Sequence, residues 1–158
     1  MTLPRSLPTA ALLCATLAGA AFAASHLSPE VASAIKARGA HMSLYGHNLG
    51  PLGGMAQDKI PYDAAAAAAA AANLAALANM DQSTYWVEGS DIAAAGGRAK
   101  SEIWTDSAGF DAEVAKLAEA STALAAVAGN GLDEMKAAFG PVGAACGSCH
   151  KAYRGPRP

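Results

Sequence analysis

The chain has 158 residues, of which 53% are hydrophobic and only 15% charged, and its formal net charge is −2. That length suits one domain with a sound core, and the weak acidic balance argues against a nucleic-acid partner. Alanine, the best helix former, dominates while β-branched residues are sparse, so an all-α domain is expected.

The N-terminus reads as an export signal. Arg5 precedes an apolar run from Ala10 to Ala18, and Ala21-Phe22-Ala23 fits a small-x-small cleavage pattern. The run is too short to span a bilayer. A lipid anchor at Cys14 is disfavoured, because Leu12 and Leu13 stand where small residues are expected. Residues 1–23 are therefore expected to leave as a signal peptide, with 24–158 as the mature domain and no membrane anchor. Removing Arg5 leaves 10 basic and 13 acidic residues, a net charge of −3.

A first helix is expected from about Ser28 to Leu49. Ser28-Pro29-Glu30 supplies an N-cap, a proline at the first helical position and an acid in the first turn. Val31, Ile35, Arg38, Met42, Tyr45, Leu49 and Leu52 recur at spacings of four and three, as in a heptad seam. The odd member is Arg38, since a charge in a core stripe is costly without an anionic partner. Either it snorkels to solvent or it meets an anion. The remaining histidines of this region, His26, His41 and His47, are expected to face solvent.

Gly50-Pro51-Leu52-Gly53-Gly54 is expected to break or fray the first helix, and Asp63 to cap a second. Nine alanines, Ala64 to Ala72, open that second helix, which continues to about Met80. Their small side chains allow neighbouring helices to approach closely. Residues 81–101 form a polar connection that Tyr85 and Trp86 are expected to anchor. A third helix follows from about Ser101 to Ala128, with Ile103, Phe110, Val114, Leu117, Ser121, Leu124 and Ala128 on one stripe. Trp104 adds a large anchor, and Gly129-Asn130-Gly131 supplies the stop.

The fourth helix carries the chemistry. Leu132, Met135, Phe139, Val142, Cys146, Cys149 and Tyr153 form its stripe, so both cysteines face the core. Pro141 should kink or restart it after Gly140. Cys146-Gly147-Ser148-Cys149-His150 is a C-x-x-C-H sequence, the attachment signature of a c-type haem. Two thiols at i and i+3 share a helical face, and each can add across a vinyl group on the same edge of a porphyrin. The adjacent imidazole is then placed to ligate the iron. A zinc site would want further ligands, and the only other cysteine is Cys14. A thioredoxin-type motif needs a βαβ context that the remaining chain cannot build. Export agrees with the haem reading, since thioether bonds leave no free thiols in an oxidising compartment. No general acid/base groups converge in the sequence, so no enzyme is expected.

Four helices with heptad seams imply an antiparallel up-down-up-down bundle with the cofactor in its core. The run Ala138-Phe139-Gly140-Pro141-Val142-Gly143-Ala144-Ala145-Cys146, continuing through Cys149-His150 to Tyr153-Arg154, resembles the haem-binding helix of cytochrome c′. That family is built on the same bundle architecture. Arg38 of the first helix, Pro61-Tyr62-Asp63 and Glu102-Ile103-Trp104 resemble it too, so the likeness spans essentially the whole mature chain. Pro141 stands where an acidic residue is common in the family.

The resemblance implies one covalent haem c per chain, with Cys146 and Cys149 as thioether anchors and His150 as the proximal ligand. It implies that Arg154 packs near the proximal imidazole, that Arg38 binds a haem propionate and that Met42 crowds the distal face of the iron. It further implies a periplasmic homodimer, pairing through its first two helices, with five-coordinate high-spin iron that binds nitric oxide and carbon monoxide. A role in nitric oxide protection and electron exchange with a periplasmic redox partner would follow. The alternative is a six-coordinate low-spin electron carrier with Met42 as sixth ligand. Met55, Met80 and Met135 are poorer candidates for that ligand. A distal face lined by Met42 and alanine would offer no hydrogen-bond donor.

Overall fold

The computed structural model describes residues 27–156. The expected leader, its cleavage site, Cys14 and His26 lie outside the described residues. Four long helices make the body: α1 (Pro29–Ala56), α2 (Ala64–Ala78), α5 (Ser107–Val127) and α6 (Leu132–Tyr153). Between α2 and α5 run a 3-10 turn (Ser83–Tyr85) and two short helices, α3 (Ile92–Ala95) and α4 (Glu102–Thr105). The long helices pack in a closed ring, α1 on α2, α2 on α5, α5 on α6 and α6 back on α1. This is the expected all-α four-helix bundle.

Local chemistry sets the helix starts. The Ser28 hydroxyl accepts from the Val31 amide, and the Asp63 carboxylate accepts from the Ala66 amide. Each satisfies one of the amides a helix N-terminus leaves without an internal partner. The Asp106 carboxylate caps α5 in the same way at Gly109. That cap divides the expected third helix in two, with α4 ending at Thr105.

Both internal prolines are absorbed where a break was expected. α1 runs through Pro51 to Ala56, and α6 runs through Pro141 without restarting. Each proline removes one backbone hydrogen bond, but the flanking turns bury side chains that hold the helix on course. Leu52 and Met55 lie beyond Pro51 and are fully buried, as is Val142 beyond Pro141. Burying such a side chain stabilises by about 1.5–3 kcal/mol, enough to offset much of the lost bond.

The core is built on Leu52, Met55, Leu74, Leu124, Met135 and Val142. The alanine run does what its small side chains allow. Ala67 and Ala71 are fully buried, and α2 comes so near the end of α5 that a Cβ on Gly129 would sit 3.2 Å from that of Ala68. The Tyr62 hydroxyl donates to the Ala128 carbonyl at 2.9 Å, closing the far end of α5.

The buried face of α1 differs from the expected seam. It consists of Ala34, Arg38, His41, Tyr45, Asn48, Leu52 and Met55. Arg38, Tyr45 and Leu52 are where they were expected and Leu49 packs half-buried against the core, but His41 and Asn48 join the buried face and Met42 leaves it. Cross-helix partners decide this phase. Asn73 of α2 donates to the Asn48 side chain at 2.9 Å, and the His41 ring packs edge-on against Tyr45 and Tyr85. His41, expected in solvent, is 3% exposed. His47 does face solvent.

Candidate functional site

The C-terminal half of α6 presents Cys146 and Cys149 one turn apart, both half-buried and without a disulfide partner. Burial, with the Glu113 carboxylate and Cys146 adding smaller effects, pushes the Cys149 thiol up to about 11. Burial also raises Cys146. His150 follows directly and is half-buried. Desolvation holds its pKa below the ordinary value, helped by the positive charges of Arg154 and Arg98. The imidazole is thus kept neutral, the form that ligates a metal. Arg154 itself is exposed.

The end of α6 is fixed by a short ladder. Lys100 donates its amide to the Tyr153 carbonyl at 3.0 Å, and Gly155 donates to the Arg98 carbonyl at 2.7 Å. Gly155 packs closely there, and a Cβ would lie 2.9 Å from Ile92 Cδ1, so that side chain would have to shift. Beneath the ladder, Tyr153 donates to Asp106 at 2.7 Å and stacks edge-on against Phe110. Phe110 in turn stacks on Trp86, and Cys149 packs against this cluster. The Ser148 hydroxyl bonds the Glu113 carboxylate, joining α6 to α5.

Arg38 is 7% exposed, so it does not snorkel to solvent. Its guanidinium donates to the Tyr85 carbonyl (3.1 Å), the Ser90 hydroxyl (2.7 Å) and the Ser90 carbonyl (2.8 Å). It also lies 5.0 Å over the Trp86 ring, within cation–π range. Burial lowers its pKa from an ordinary value so high that the charge persists. The loop therefore supplies polar partners that the sequence does not announce. Ser90, fully buried, carries no motif that would have revealed it. A guanidinium has five donors. Both hydrogens of Nη1 and one of Nη2 are used, which leaves Nε and the second Nη2 hydrogen, the side-on pair suited to a carboxylate.

Met42 is 43% exposed and lies off the buried stripe. The bundle-facing residues of this stretch are instead His41 and Tyr45. Tyr45 lies close enough to Cys146 for the thiol's charge to act on its phenol.

These residues fit a covalent haem c. The thiols share one face at the thioether spacing, the imidazole beside them is neutral, and α1 offers Tyr45 opposite. Two buried polar atoms on that facing stripe, His41 Nε2 and the Tyr45 hydroxyl, have no partner within the protein. Among the described residues no three His, Cys, Asp or Glu side chains gather as a metal-ion site, which is what a zinc centre would need.

Residues 33–154 match the family described as Cytochrome C′. A cytochrome c′ of Cereibacter sphaeroides is 40% identical over 144 residues, covering 90% of this chain and 96% of that one. A cytochrome c-554 of the same organism is 36% identical over 151 residues, 95% of this chain and 97% of the other. Among solved structures, a cytochrome c′ from Rhodobacter superposes with a TM-score of 0.78 at 40% identity, covering 80% of this chain and 98% of its own. A nitric oxide complex of a point mutant of the Alcaligenes xylosoxidans protein gives 0.70 at 32% identity, covering 80% and 97%.

Proposed function

The chain belongs to the cytochrome c′ family, whose members carry covalently bound haem c, and from this we propose a periplasmic gas-binding protein with five-coordinate, high-spin iron. The haem supplies a centre for reversible binding of nitric oxide and carbon monoxide and for single-electron exchange. Cys146 and Cys149 would hold it to α6 by thioether bonds, and His150 would ligate its iron. The ladder at residues 98–100 and 153–155 holds the segment just beyond His150, so the imidazole cannot drift without unpicking two backbone bonds. Arg38 binds a propionate with its two remaining donors while its other three tie the loop to α1. Burial keeps the His150 imidazole unprotonated, and the positive charge of Arg154 adds to that effect.

The observation that carries the high-spin reading is the exposure of Met42. It is 43% exposed at the edge of the buried face of α1, so its thioether is not packed into a fixed ligating position and adds bulk beside the iron instead. The protein then binds and releases gases, with nitric oxide protection as its role, rather than turning over a substrate. Electron exchange with a periplasmic partner is within its means. Residues 1–23 serve as the cleaved leader. Among the described residues no helix is long and apolar enough to cross a membrane. A homodimer forms through α1 and α2, where Leu44 is 50% exposed beside the smooth alanine face. Sedimentation showing only monomer over a broad concentration range would remove that part of the reading.

Met42→Ala tests the iron coordination. The wild type should show a high-spin spectrum, and the variant should remain high-spin and bind carbon monoxide faster. A wild type that is low-spin, with a methionine-to-iron charge-transfer band lost in the variant, would make the protein a His/Met electron carrier instead.

A further inference from the structure

The sequence leads one to expect an apolar distal face, yet the structure leaves two polar groups on the buried face of α1 without partners. His41 is 3% exposed and Tyr45 is 7% exposed, one turn apart on the same buried face of α1. Their rings meet edge-on with centroids 4.7 Å apart. Neither His41 Nε2 nor the Tyr45 hydroxyl has a hydrogen-bond partner. Buried polar groups are almost always satisfied, and those that are not require an explanation such as a bound molecule. Two such neighbours in one place make coincidence a poor account.

The chemistry of the pair is complementary. Burial disfavours the charged imidazolium, with the Leu77 backbone of α2 acting in the opposite sense. The neutral ring can offer the Nε2 lone pair to a small molecule. The phenol is held as a donor by the same cause, with its pKa pushed up to about 12. The Gln82 amide acts on that phenol, but no hydrogen bond of acceptable geometry forms. Tyr45 lies toward α6, since Cys146 acts electrostatically on its phenol, and His41 adjoins Tyr45 by its ring contact.

We propose that His41 Nε2 and the Tyr45 hydroxyl form a polar subsite on the α1 side of the haem, which holds one small hydrogen-bonding molecule, water in the resting protein. Water suits the pair because it can donate to the imidazole and accept from the phenol at once. An entering gas displaces that water and then receives the Tyr45 hydrogen bond. This inference rests on the haem reading above, but makes a separate claim: Met42 contributes bulk to the distal side, while His41 and Tyr45 contribute polarity.

The test uses the haem-loaded protein and carbon monoxide as probe, read by infrared spectroscopy. A hydrogen bond to the oxygen of carbon monoxide lowers its stretching frequency. The wild-type band should shift in deuterated solvent, because the donor hydrogen is exchangeable, and Tyr45→Phe should move the band to higher frequency. His41→Leu should bind carbon monoxide several-fold faster, because no water need be displaced, and His41→Gln, which keeps an acceptor, should fall between. A wild-type band indifferent to deuterium and unchanged in Tyr45→Phe overturns the proposal, and the deuterium arm stands even if a variant fails to fold. Failure of the haem reading itself would appear earlier and differently, as haem extracted by acid-acetone or a low-spin wild type.

Discussion

Replacing Arg38 separates two roles that its position combines. In the structure its guanidinium makes three hydrogen bonds, to Tyr85 O, Ser90 Oγ and Ser90 O. Ser90 is fully buried and its hydroxyl already donates to the Val87 carbonyl, so Arg38→Leu strands two acceptors on one residue. Leaving a buried acceptor unmet costs about 1–3 kcal/mol. Loss of the cation–π contact with Trp86 adds roughly 1 kcal/mol, while relief from burying a guanidinium returns part of the total. The net expectation is destabilisation by about 3 kcal/mol, or roughly 10 °C in Tm for a domain of this size. The assay is denaturant unfolding of the haem-loaded protein, with a lower midpoint at an unchanged slope. Arg38→Leu should also lower the reduction potential, since a positive charge near the iron is removed. Arg38→Lys keeps the charge but not the planar fork, so it should lose most of the stability and little of the potential. If Arg38→Leu unfolds within about 0.5 kcal/mol of the wild type, as an ordinary surface substitution would, the tie between α1 and the loop is not made. An unchanged potential would remove the propionate role alone.

Gly109→Ala should destabilise by about 1–3 kcal/mol through overpacking, although alanine normally favours a helix. Its Cβ would overlap the Asp106 carboxylate and approach the Tyr153 hydroxyl to 2.5 Å, and a raised unfolding midpoint would show that this packing is loose. Pro141→Ala should act in the opposite sense, restoring the missing helix bond and raising stability by about 1–3 kcal/mol; a lower denaturant midpoint would mean that the proline's rigidity is being used. In haem-free protein Cys149 should alkylate up to about a hundredfold more slowly than an unstructured cysteine, since a thiol pushed up from 9.0 to about 11 holds that much less thiolate. The haem-loaded mature protein should show no titratable thiol, and a free one would mean a single thioether.

The sequence determined what depends on neighbours along the chain. The thioether spacing of Cys146 and Cys149 and the adjoining His150 are consequences of one helical turn. Ser28 and Asp63 cap their helices because a short side chain reaches an amide three residues on, wherever the helix packs. The stripes of α5 and α6 were legible because their apolar residues outnumber the polar ones on that face. Tertiary structure decided whatever required a partner far along the chain. On α1 two heptad phases shared Arg38, Tyr45 and Leu52, and hydropathy favoured the one containing Met42 and Leu49, of which only Leu49 packs against the core. The other prevailed because Asn48 meets Asn73 and His41 meets Tyr45 and Tyr85, contacts that no local pattern records. Arg38 is buried rather than snorkelling for the same reason, its partners lying at Tyr85 and Ser90 in a loop with no motif. Pro51 and Pro141 did not end their helices, because the residues beyond them are buried in the core. A backbone defect is a local cost, and only burial against other helices outweighs it.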